Sequence, residues 1–209
     1  MDLSAPHRVV FPEAAGGVLS ALAGTTRPLS GREVAKLGGV PRSTAARALH
    51  HLVEHGLVRV QEAGAGAALL YTFNREHLAA GPVLALLGLR RGLVDRLRSE
   101  LSGWPMPPLH ASLFGSAARG DGTITSDIDV FLVRKGTVAA EDARWKGQLD
   151  RLGDLVVSWT GNHAGIAEVP EQELVRLRRD RPRVVEELER DAVTLVGSAL
   201  RDLLARSVG

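Results

Sequence analysis

The chain of 209 residues contains no cysteine. Disulfide staples and thiolate metal sites are thereby excluded, and the composition suits a reducing compartment. Aromatic residues are scarce, with one Tyr, three Trp and four Phe, so a core must be assembled mainly from Leu, Val and Ala. No apolar run approaches the roughly 20 residues that a membrane-spanning helix requires. The first residues include Asp2 rather than a basic cluster, and Pro12 and Glu13 interrupt the apolar stretch that follows. The expectation is a cytoplasmic chain with no signal peptide and no membrane partner. Neither sign of charge dominates, the net charge being +2. Residues 1–80 hold eight Lys/Arg against six Asp/Glu, and residues 109–209 hold fourteen against sixteen. This bias permits nucleic-acid contact by the N-terminal half without indicating it alone. What is present is an apolar fraction of 44%, ordinary for a packed protein, on a length that suits one large domain or two small ones.

The N-terminal half reads as helices followed by a hairpin. A helix is expected over 14–23, ending at Gly24. Ser30 and Glu33 have the spacing of a capping box, in which hydroxyl and carboxylate satisfy free amides at a helix start. That helix stops at Gly38-Gly39. Pro41, at a first helical position, opens a third helix over 42–55, with Ala45, Leu49, Leu52 and Val53 on one face. Two strand-like runs, 57–60 and 69–73, flank a Gly-rich loop over 62–66 and read as a hairpin. A Leu-rich helix over 82–101 follows. The Gly- and Pro-rich stretch 103–108 then reads as a linker. The expected division is 1–80, a connector over 81–108, and 109–209.

Beyond residue 108 the pattern changes. Strands are expected over 110–114, 127–133, 155–160, 164–169 and 193–196. Helices are expected over 139–152, 171–179, 182–190 and 199–206. Strands mixed with helices indicate an α+β or α/β architecture.

The chemistry concentrates in Leu113-Phe114-Gly115-Ser116-Ala117-Ala118-Arg119-Gly120-Asp121-Gly122 and Ser126-Asp127-Ile128-Asp129-Val130. Gly115 lacks a Cβ, so its backbone can approach a phosphate closely. Ser116 begins a helix, where amide and hydroxyl can meet phosphate oxygens. Asp127 and Asp129, two apart on a strand, face the same way, while Ile128 and Val130 face a core. Two adjacent carboxylates repel, and a hard cation such as Mg²⁺ (or Mn²⁺), shared with substrate phosphates, relieves the repulsion.

Residues 113–133 resemble the signature of the DNA polymerase beta nucleotidyltransferase superfamily, especially its minimal bacterial members. The resemblance implies a small mixed sheet flanked by helices. It also implies two divalent metals and transfer of a nucleoside monophosphate, AMP from ATP, with loss of pyrophosphate. Asp127 and Asp129 take the metal-ligand positions, Gly115 and Ser116 the triphosphate-binding positions, and Ser126 belongs to the same signature. Arg119 neutralises phosphate charge or is a surface residue. The family's third carboxylate is assigned to Glu168, with Asp154 as the alternative and loss of the position as a third outcome.

Residues 14–73 resemble a winged helix, three helices plus a two-stranded wing. The helix after the turn then enters the major groove of duplex DNA. Its exposed positions are Arg42, Ser43, Thr44, Arg47 and His50. A module that docks protein instead is the competing reading, since the wing carries Arg59 and no Lys. His51 and His55, four apart, lack an evident third metal ligand. The Leu-rich helix serves as a connector or pairs two copies into a homodimer. Two functions follow. One is an enzyme that transfers a nucleotide to an acceptor hydroxyl on a protein, an RNA end or a small molecule. The other is a DNA-binding transcriptional regulator with a nucleotide-sensing, catalytically weak domain.

Overall fold

In the computed structural model, which describes residues 1–11, 13–63 and 68–206, the chain divides into two units, Ala5–Leu89 and Met1–Ser4 with Arg90–Gly209.

The first unit is organised by the signals that the sequence carries. Helix α1 (Glu13–Ala23) is followed by a two-residue strand β1 (Leu29–Ser30) and helix α2 (Gly31–Leu37). The capping box forms as expected: the Glu33 amide donates to Ser30 Oγ at 3.3 Å, and the Ser30 amide donates to Glu33 Oε2 at 2.8 Å. Hydrogen bonds from the Ser30 amide, then the Ser30 hydroxyl and the Arg27 guanidinium, hold the Glu33 carboxyl down at about 2. Helix α3 (Arg42–Glu54) starts after Pro41, which stands at the cap rather than inside the first turn. Strands β2 (Val58–Ala63) and β3 (Ala68–Phe73) pair antiparallel, and β1 adds to β3. The expected loop over 62–66 lies mostly outside the described residues. Val18, Leu19 and Leu22 of α1, Val34 of α2, and Ala45, Leu49 and Leu52 of α3 bury against Val58 and Phe73. Each fully buried Leu or Val contributes about 2 kcal/mol, which is how a core almost without aromatics holds three helices on a three-stranded sheet. This is a winged-helix arrangement.

The Leu-rich helix expected over 82–101 is two helices, α4 (Ala80–Leu87) and α5 (Leu89–Ser102). The break falls at Gly88, the C-cap of α4, whose amide donates to Leu84 O and Ala85 O. The unit boundary follows directly, between Leu89 and Arg90.

In the second unit β4 (His110–Phe114) and β5 (Ile128–Arg134) pair antiparallel, with helix α6 (Gly115–Arg119) between them. Helix α7 (Ala143–Thr160) carries the chain across to β6 (Ala164–Pro170), parallel to β5. Helices α8 (Leu174–Asp180) and α9 (Arg183–Asp191) precede β7 (Val193–Gly197), which pairs with β4, and α10 (Leu200–Arg206) follows. The order β6-β5-β4-β7 makes a mixed four-stranded sheet. One face, through Ile128, Val130 and Leu132, packs on Leu93, Leu97 and Leu101 of α5 and on Trp145, Leu152 and Val156 of α7. The other, through Phe131 and Val133, packs on Leu174, Val185, Leu188 and Leu203.

The strand expected over 155–160 does not exist: these residues complete α7. The Val156-Val157 pair and Trp159 suggest a strand by type. However, the buried positions Trp145, Gln148, Leu152 and Val156 continue a helical spacing to Gly161, which ends the helix at φ +75°.

Candidate functional site

The Asp pair lies on the Phe131 face of the sheet. Asp129, inside β5, alternates with Ile128 and Val130, which are 1% and 0% exposed in the opposite layer. Asp127 stands just before the strand and is exposed. The two carboxylates share a side: a Cβ built on Gly165 of β6 would lie 2.6 Å from Asp129 Oδ1 and 3.9 Å from Asp127 Cβ. Gly115, the first residue of α6, approaches from just beyond the end of the other neighbouring strand, β4. A Cβ there would lie 2.5 Å from Asp129 Oδ2. The Asp129 carboxylate therefore sits between two residues that have no side chain, and each of its oxygens occupies the space a Cβ would fill.

Burial raises the Asp129 carboxyl above its ordinary value; the charges of Asp127 and then Glu187 add to the effect, and Arg119 opposes it. Such a carboxylate carries unrelieved negative potential, which a cation would neutralise. The donor set is two carboxylates. Among the described residues no group of three or more His, Cys, Asp or Glu could hold a metal. Two carboxylates suit a Mg²⁺ that keeps waters and phosphate oxygens as its other ligands.

Around the pair, α6 begins at Gly115, whose φ is +64°. Ser116 follows in its first turn, with Oγ 3.1 Å from where a Gly122 Cβ would stand. Arg119, at the end of α6, pairs with Asp121 at 3.1 Å and Asp191 at 3.4 Å. Ser126 Oγ accepts from the Thr123 amide at 3.0 Å inside the loop that leads to Asp127.

Glu168 does not join this group. In the parallel register it pairs with Leu132, so it shares the face of Ile166 and Leu132, opposite the Asp pair. There it accepts from Arg134 Nε at 2.5 Å, neutralising a guanidinium that is 8% exposed. Asp154 fails too, since it is an exposed residue within α7. The β6 residue opposite Asp129 is Gly165. Glu168→Ala is expected to lower stability by about 3 kcal/mol in denaturant unfolding, because Arg134 is left buried without its counter-charge. An unchanged midpoint would contradict this role.

Two residues that sequence reasoning missed act here. Glu187 of α9 is the carboxylate outside the pair whose charge raises Asp129, and its Oε1 accepts from Arg183 Nε at 2.9 Å. Arg90, at the start of α5, donates through Nε to Ala117 O at 3.0 Å and through Nη2 to Ala118 O, placing a cation at the carbonyl end of α6. Neither has a local motif, because each lies far along the chain from the residues it serves.

In the first unit, Arg42, Ser43, Arg47 and His50 are exposed along α3, and Thr44 is half-buried. His50 Nε2 lies 3.4 Å from Glu54 Oε1. Arg59, the cation of the wing, pairs with Glu76. Ala45, Leu49 and Leu52 occupy the opposite, buried side.

A winged-helix unit and a mixed-sheet unit with a carboxylate pair beside a Gly-Ser turn define a two-module protein. Residues 15–62 match the family model of the IclR helix-turn-helix domain, and residues 93–157 match that of the nucleotidyltransferase domain. The chain is thus a helix-turn-helix domain fused to a nucleotidyltransferase domain. The second match contains Gly115, Ser116, Asp127 and Asp129 and stops short of β6. No curated protein matches the chain. Among the described residues no helix is long and apolar enough to cross a membrane.

Proposed function

We propose that the protein transfers a nucleoside monophosphate, AMP from ATP, to an acceptor hydroxyl, with Mg²⁺ or Mn²⁺ held by Asp127 and Asp129. The observation that carries this reading is the Asp129 carboxylate lodged between Gly115 and Gly165, with Asp127 on the same side. Bound there, divalent cations would lower the pKa of the acceptor hydroxyl and neutralise charge on the leaving pyrophosphate. The protein's own contribution is positioning. The Gly115-Ser116 backbone, open for want of a Cβ, and the Ser116 hydroxyl orient the triphosphate. Ser126 shapes the loop beside it. Arg119, held by Asp121 and Asp191, offers positive charge at the end of α6. The acceptor is a protein side chain, an RNA end or a small molecule.

Full-length protein incubated with each labelled triphosphate, Mg²⁺ and cell lysate tests the proposal. Label passing from ATP into an acceptor, with pyrophosphate released, supports it. No labelling and no release with any triphosphate would overturn it. One observation favours a second reading: on the Asp face β6 offers Gly165 and Ala167, not a carboxylate. Tight triphosphate binding without turnover would point to a nucleotide-sensing regulator.

The helix-turn-helix unit is proposed to bind duplex DNA through Arg42, Ser43, Thr44, Arg47 and His50. The support is the exposed polar side of α3 set against its buried Ala45, Leu49 and Leu52. Affinity should fall as salt rises, because each phosphate contact releases counterions. Arg47→Ala is expected to weaken binding by about 1–3 kcal/mol in an anisotropy titration, with nucleotide transfer unchanged. If the full chain binds no duplex even at low salt, the unit docks protein instead.

A further inference from the structure

Asp129 is fixed by the ladder of β5, but Asp127 is not. Residues 121–127 lie outside any helix or strand. This loop delivers Asp127 to the site, so something other than the sheet must set its position.

That role falls to the turn between α7 and β6. Asn162 is 3% exposed. Its Nδ2 lies 2.9 Å from Ser126 O, 3.1 Å from Thr123 O and 3.4 Å from Ile124 O. All three carbonyls belong to the loop that ends at Asp127. Its own amide donates to Thr160 Oγ1 at 3.0 Å, and that hydroxyl donates to Val156 O at 2.7 Å. The side chain is therefore anchored in the last turn of α7. One residue on, His163 O accepts from the Ile128 amide at 2.8 Å, which registers the start of β5. On the far side of the loop, Leu3 N and Ser4 N donate to Gly122 O at 2.8 and 3.2 Å, and Leu3 is 4% exposed.

Three converging carbonyl oxygens call for a donor that carries no negative charge. A primary amide supplies two N–H groups from one atom. The Asn162 Oδ1 accepts from the Met1 ammonium, a bond that a carboxylate of the same shape would keep, but its other oxygen would set negative charge against all three carbonyls.

We infer that Asn162 is a positioning residue of the nucleotide site: by gathering the carbonyls of Thr123, Ile124 and Ser126 it sets the aim of the Asp127 carboxylate at a divalent cation. The inference rests on the reading of Asp127 and Asp129 as a cation-binding pair. Residues that orient metal ligands from behind are worth about ten- to a hundred-fold in metal affinity.

The test measures Mn²⁺ binding to the full-length protein by the electron paramagnetic resonance signal of the free ion, with thermal unfolding recorded on the same samples. Asn162→Ala is expected to weaken Mn²⁺ about ten-fold, with excess Mn²⁺ restoring occupancy. Asn162→Asp should be weaker still despite its equal size. Thr160→Val, which removes the hydroxyl that accepts from the Asn162 amide and donates to Val156 O while leaving the Asn162 side chain in place, should give a smaller loss. A purely structural Asn162 would lower the melting temperature and leave Mn²⁺ affinity as in the wild type; that result in both Asn162 variants overturns the inference. Should they fail to fold, wild-type affinity in Thr160→Val overturns it. If wild-type protein binds no Mn²⁺, the cation-pair reading fails and takes the inference with it.

Discussion

Asp127→Ala and Asp129→Ala are each expected to reduce nucleotide transfer at least about a thousand-fold, close to 4 kcal/mol in barrier height. Both carboxylates face the site while their neighbours Ile128 and Val130 fill the core, so the fold should survive either change. Full transfer by either variant in the labelled-triphosphate assay would remove the pair from the mechanism. Asp129 also carries a stability signature. Its folded-state carboxyl lies above the ordinary value, chiefly through burial. A carboxyl raised in the folded state is best tolerated below its unfolded value, and stability declines as pH rises from there through the raised value. At pH 7 without metal the ionised Asp129 is a cost, so Asp129→Asn should melt higher than the wild type in EDTA while transferring nothing. A lower melting temperature would show the carboxylate to be satisfied by the protein alone.

Gly115→Ala is the second substitution with a large expected effect. At φ +64° a Cβ costs about 1–2 kcal/mol. It would also stand 2.5 Å from Asp129 Oδ2, which must swing away. Displacing a reacting group by about 1 Å costs about a hundred-fold in rate, and that is the loss expected in transfer. Gly39→Ala separates the two causes. Gly39 has φ +63°, and a Cβ there meets nothing within 4 Å. It should show the backbone cost in stability and no loss of transfer. Equal transfer by Gly115→Ala and wild type would mean that the Asp129 carboxylate does not act from its place between the two glycines.

Much of the site is local and could be read directly. Gly115-Ser116 falls at the end of an apolar strand, and two aspartates two apart at the start of another must share a side. The capping box at Ser30 and Glu33 and the helix stops at glycines also follow from neighbours in the chain. Tertiary structure decided what depends on register. Glu168 looks like a site carboxylate between apolar neighbours, but in a strand a shift of one residue exchanges the faces. The pairing of Glu168 with Leu132 turns it toward Arg134. The same register sets Gly165 against Asp129, and only packing brings the charge of Glu187 and the amide of Asn162 to bear there. The sequence by itself determined the two modules, the Gly-Ser turn and the aspartate pair, because those signals act over a few residues. The company the pair keeps was decided by the parallel pairing of β5 with β6 and by α9 on the sheet, contacts between segments whose distance along the chain carries no local signal.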